Sequence, residues 1–71
     1  MSTFNWRNDV AEAKITANKK RLRELSKSPH ELVRYEVANN ENTSFAVLKS
    51  LLWDAALVYS IRRNINTRRY R

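Results

Sequence analysis

Val33-Arg34-Tyr35-Glu36-Val37-Ala38-Asn39-Asn40-Glu41-Asn42-Thr43 decides the fold of this chain, because its spacing returns 24 residues later. Val33, Val37, Asn40 and Thr43 are echoed by Leu57, Ile61, Asn64 and Thr67. In each copy an apolar pair four apart is followed by Asn, two residues and Thr. That pattern reads as a short helix with one buried stripe, closed by Asn and re-capped by Thr, then repeated. A period of this length built from such units points to a helical repeat module, a class that usually binds and rarely catalyses.

Working outward, Ser28-Pro29-His30-Glu31 forms a capping box with proline at the first helical position. Ser28 is the expected cap, and a helix from there runs to about Ala38 with Leu32, Val33 and Val37 inward. Thr43 or Asn42 caps the next helix, whose Phe45, Leu48, Leu51 and Leu52 form the strongest apolar stripe. Asp54 then caps a helix over 55–63, or residues 44–63 form one continuous helix, since neither Gly nor Pro interrupts them. The repeat spacing favours the break and local propensity favours continuity. Asn64-Ile65-Asn66-Thr67 repeats the earlier turn chemistry, leaving 68–71 as a mobile basic tail. Upstream, Ser2 or Thr3 caps a first helix that runs to about Ser26, with Phe4 as a staple residue. Its stripes are Trp6, Val10, Ala13 and Ala17 beside Ile15, Leu22 and Leu25.

The fold class expected is therefore all-α: a single small domain over 1–67 of four short or three longer helices. Zero glycines and one proline fit helices joined by Asn, Ser and Thr, and Asn tolerates the left-handed conformation that ends helices. Seventy-one residues bury a modest core, so net stability should be only a few kcal/mol and oligomerisation is a plausible supplement. With no Cys and one His, neither a disulfide nor a structural metal is expected. No leader peptide and no apolar stretch of about 18 residues is seen, so a cytoplasmic protein off the membrane is the expectation.

From Leu22 to Leu48 the sequence resembles a unit of the leucine-rich repeat variant family, related in style to HEAT and armadillo repeats. The residues that carry the resemblance are Leu25, Val33-Arg34, Val37-Ala38, Asn40, Asn42-Thr43 and Leu48. A second unit, Leu51 to Thr67, matches in its latter half and is two residues shorter between Leu51 and Leu57. About one and a half units cover 22–67, and no copy is found before residue 22. The resemblance implies short helices stacked with a right-handed superhelical sense, and a scaffold whose ligand is left open. Some members carry an iron–sulphur cluster on a Cys-rich segment, which this Cys-free chain lacks, so no cofactor carries over. Arg34 occupies the family's arginine position, with Val58 as its counterpart, and should pair with Glu31, Glu36 or a neighbouring loop.

Charge supplies the functional lead. The formal net charge is +7, and it is uneven: residues 14–27 and 62–71 each sum to +5, while 1–13 and 28–61 sum to −1 and −2. Lys20, Arg23 and Lys27 share one face at spacings of three and four. Lys19, Lys20, Arg21, Arg23 and Lys27, with Arg62, Arg63, Arg68, Arg69, Tyr70 and Arg71, are the candidate contacts to an RNA or DNA backbone. The first group also suits the negative end of a helix dipole as a merely solvated surface. The competing class is an adaptor or inhibitor that docks on an acidic protein, with Trp6, Trp53, Tyr35 or Tyr59 as anchors. A domain of this kind would suit a modulator of a larger machine, such as one from a phage or mobile element. Catalysis is not expected: His30 is the sole imidazole, Glu31, Glu36, Glu41 and Asp54 are scattered, and no glycine is present for a phosphate loop.

Overall fold

A computed structural model describes residues 5–69, and of Arg69 the backbone alone. The chain is all-α. Its helices are α1 (Trp6–Ile15), α2 (Lys19–Leu25), α3 (Glu31–Asn39), α4 (Phe45–Ser50) and α5 (Val58–Arg69), with a single 3₁₀ turn at Ala55–Leu57 leading into α5. The central element is α3, which packs against α1, α2 and α5. Ala13, Leu22, Leu25, Val33, Val37, Ala38, Val47, Leu48, Leu51, Leu57 and Ile61 form the core, with Trp6, Val10 and Ile65 packed against it.

The first expected helix is two. Asn5 caps α1 by accepting from the Arg7 and Asn8 amides at 3.2 and 3.3 Å, while Ser2, Thr3 and Phe4 lie outside the described residues. The break follows β-branched Ile15 and Thr16. Thr16 takes extended backbone, its hydroxyl accepts from Asn18 N, and Asn18 caps α2 by accepting from Arg21 N. Polar side chains that satisfy a turn locally compete with the helix at these residues. Ala17 and Ile15 consequently point outward, and Ile15 is 80% exposed.

The cap of α3 is His30 rather than Ser28. The His30 Nδ1 accepts from Leu32 N at 3.2 Å, and Ser28 Oγ accepts from His30 N at 3.1 Å, one step outside. Similarly Ser44, not Thr43 or Asn42, caps α4 by accepting from Val47 N. Thr43 is fully buried and donates to the Val37 carbonyl at 2.7 Å. The expected apolar stripe of α4 is divided, with Leu48 and Leu51 buried but Phe45 and Leu52 about half exposed; Leu32 is exposed likewise. Short helices present only one inward turn, so part of each stripe faces water.

Between α4 and α5 the chain breaks, and Asp54 accepts from Ala56 N at 3.0 Å as the spacing favoured. The last helix, however, continues through 64–67 to Arg69. After Asn40 the turn is fixed by Asn42 N donating to Asn40 Oδ1, and it delivers Val47, Leu48 and Leu51 to the core. After Asn64 only Ile65 is apolar as far as residue 69, so a turn would bury nothing. The helix therefore persists, and Thr67 Oγ1 donates back to Arg63 O within it.

Both asparagines act through their side chains and not through left-handed backbone. No described residue has a positive φ. Asn40 Nδ2 donates to the carbonyls of Ala13 and Thr16, each at 2.8 Å. Asn64 Nδ2 donates to those of Ala38 and Asn40, at 2.8 and 2.9 Å. Each amide thus donates to carbonyls at the C-terminal end of the preceding helix in the α1–α3–α5 row, where partners within the helix run out.

Candidate nucleic-acid interface

The carboxylates of this protein are concentrated on two arginines. Arg21 on α2 makes a two-pronged contact with Glu12 on α1, Nε to Oε2 at 2.7 Å and Nη2 to Oε1 at 2.9 Å. It also meets Asp9 at 3.4 Å and Glu24 at 3.3 Å. Hydrogen bonding from Arg21 holds the Glu12 carboxyl below the usual range, and that same bond pushes the guanidinium further up. Arg34 on α3 donates to the Ser28 carbonyl at 2.7 Å and pairs with Asp54 at 3.4 Å. Its partners are loops on either side, and neither Glu31 nor Glu36 is among them.

Several other candidate cations also hold the fold. Lys19 Nζ donates to Asn42 O at 2.8 Å, and Arg68 Nη2 donates to Asn40 O at 3.2 Å. One residue of each basic stretch, Lys19 and Arg68, therefore reaches the α3–α4 turn, as a clamp on its carbonyls. Arg68 is part of α5, lies over the Phe45 ring at 5.1 Å, and has its pKa lowered by burial. Arg63 donates to Asn39 Oδ1 at 3.0 Å.

Lys20, Arg23, Lys27 and Arg62 are exposed and make no ion pair or side-chain hydrogen bond among the described residues. Arg23 and Lys27 line a groove of about 410 Å³ with Ser26, Ser28, Arg34, Ala46, Val47, Ser50 and Trp53. Trp53 is 70% exposed, and the Arg34 guanidinium carbon sits 5.3 Å from its ring centre. Arg34 Nε is buried and unpartnered among the described residues. A second hollow of about 490 Å³ runs along the outer face of α5, between Tyr59, Arg62, Arg63, Asn66 and Thr67. Lys20 lines neither hollow. The Arg69 side chain, Tyr70 and Arg71 lie outside what is described.

Arg34 and Trp53 are absent from the charge-based candidate set, although they shape the groove. The signal available was the neighbourhood of Asp54: a carboxylate capping the turn after Trp53 can also draw in the arginine of α3.

No group of three or more His, Asp or Glu residues among those described is placed to hold a metal. Among the described residues no helix is long and apolar enough to cross a membrane. Compared with known proteins, the chain matches no family model, no curated protein and no solved structure.

Proposed function

We propose that this protein is a non-enzymatic nucleic-acid-binding domain that holds an RNA or DNA backbone with the cations its own carboxylates leave free. The observation that carries the reading is the disposition of the acids. Asp9, Glu12, Glu24 and Asp54, four of the seven carboxylates, converge on Arg21 and Arg34. Setting those six residues aside, the sequence has twelve cations against three carboxylates. A surface field of that sign attracts phosphate by counterion release. The free cations on and just after α2 (Lys20, Arg23 and Lys27) and Arg62 on α5 are the proposed contacts, with Arg69, Tyr70 and Arg71 of the sequence as further candidates. Lys19, Arg21, Arg63 and Arg68 act on the fold, and their loss would weaken binding only indirectly. The resemblance of 22–67 to leucine-rich repeat variant units offers a scaffold class suited to binding. A Cys-free protein of this kind suits a reducing cytoplasm.

The test is fluorescence anisotropy with labelled single-stranded DNA, duplex DNA and structured RNA. Replacing Lys20, Arg23 and Lys27 together by Ala should weaken the preferred ligand roughly tenfold or more near 0.15 M salt. An unchanged affinity would contradict the reading. A second reading, docking on an acidic protein, is favoured by Tyr59, which is 75% exposed beside Arg62 and Arg63 on α5. In that case Tyr59→Ala would abolish capture of the partner, and the α2 cations would matter little.

A further inference from the structure

We propose that the groove between α2 and α4 seats one unpaired nucleotide of a single strand, with its base stacked on Trp53 and its phosphate held by Arg23 and Lys27. This rests on the nucleic-acid reading above and specifies the form of the ligand.

The argument begins with the indole. A tryptophan 70% exposed on a small protein carries a large apolar face in water, yet Trp53 is not left to swing freely. Arg34 lies against the ring at 5.3 Å. Arg34 is itself fixed, by the Ser28 carbonyl at 2.7 Å and the Asp54 carboxylate at 3.4 Å. Asp54 is fixed in turn by capping the 3₁₀ turn through Ala56 N. This chain of contacts holds an aromatic platform in place without covering it. Part of the ordering cost is therefore met before the ligand arrives, which favours a stacking contact.

The chemistry around the platform is that of a nucleotide. Arg34 is paired with Asp54 and can serve the ring, while Arg23 and Lys27, four residues apart, have no carboxylate partner among the described residues and line the same groove. Ser26 and Ser50 already donate their protons to the Arg23 and Val47 carbonyls. Ser28 Oγ only accepts, from His30 N, so its own proton is available to a phosphate or sugar oxygen. Ala46 and Val47 contribute small side chains to the wall between these groups. A groove of about 410 Å³ is within the range of small-ligand sites. A duplex keeps its bases stacked and out of reach of such a platform, whereas a single strand can splay one out. Stacking reads no particular base, so sequence preference should be weak.

The experiment compares a labelled single strand of about ten nucleotides with an abasic strand of equal length, which keeps the phosphates and removes the bases. Trp53→Ala should lose about 10- to 100-fold in affinity for the normal strand and little for the abasic one. Trp53→Tyr should restore most of the loss, and thermal melts should show both variants folded, as the exposed side chain implies. Binding should quench a component of tryptophan emission that Trp53→Phe removes. If Trp53→Ala binds the normal strand like wild type while the Lys20, Arg23 and Lys27 variant is weakened, the stacking site is overturned and the nucleic-acid reading stands. If wild-type protein binds no nucleic acid near 0.15 M salt, both fall.

Discussion

Asn64 donates its side-chain amide to the backbone carbonyl of Asn40 at 2.9 Å, and Asn40 donates its own to Thr16, 24 residues earlier in each case. Both asparagines are more than nine-tenths buried, and each amide also serves a second carbonyl, that of Ala38 or Ala13. Asn64→Ala leaves one carbonyl, that of Ala38, without a partner, at about 1–2 kcal/mol, because Asn40 O keeps Thr43 N and Arg68 Nη2; Asn40→Ala leaves two, those of Ala13 and Thr16, at about 2–3 kcal/mol. In a domain of this size the latter corresponds to a fall in Tm of roughly 10 °C or more. Thermal melts followed by circular dichroism would read it. A larger loss at Asn40 than at Asn64 is expected, because Asn40 Oδ1 also accepts from Asn42 N in the α3–α4 turn, while one of the two carbonyls that Asn64 serves keeps other donors.

Acid should loosen the α1–α2 junction. The folded pKa of Glu12 is depressed by Arg21, so its stabilising contribution is present above the unfolded glutamate value. That contribution is lost as pH falls below about 4.3 toward the folded value. Arg21 is shifted upward, so its contribution persists at every pH below its ordinary value and does not reverse this trend. Glu12→Gln should flatten the decline in stability between about pH 5 and 3 measured by urea unfolding. Because the pair is partly exposed, the loss in neutral solution should be small, and added salt should shrink it.

His30 combines two tasks, capping α3 and stacking on Trp6 at a centroid distance of 4.2 Å and an interplanar angle of 7°. His30→Ala removes both and should cost about 1–2 kcal/mol. His30→Asn keeps a capping oxygen and loses the stack, so it should recover roughly half of that in chemical denaturation.

The sequence made some of this legible and concealed the rest for physical reasons. Paired apolar residues four apart located α3 and the inner face of α5, because periodicity reports which side of a helix is buried. The break at Asp54 was visible as a capping residue that agreed with the 24-residue echo. Helix ends were less legible: Ser28 looked like the cap of α3, but a histidine nitrogen two residues later does that work. The break at Thr16 was hidden because its stabilising partner, Asn40, lies 24 residues away. At the candidate site, charge alone could not separate Arg21 from Arg23. Their side chains leave α2 in different directions, one toward three carboxylates and the other into a groove. The sequence offers Trp53 as a docking anchor, and only the position of Arg34 against its ring distinguishes a held platform from a loose surface residue.

The measurement that tests the central claim most directly is the salt dependence of binding to a labelled single strand between roughly 50 and 300 mM, for wild type and for the Lys20, Arg23 and Lys27 variant. The account predicts a linear fall of log K with log salt, with a slope about 2 shallower in the variant because three phosphate contacts are gone. A wild-type slope near zero, or one identical in the variant, would contradict it.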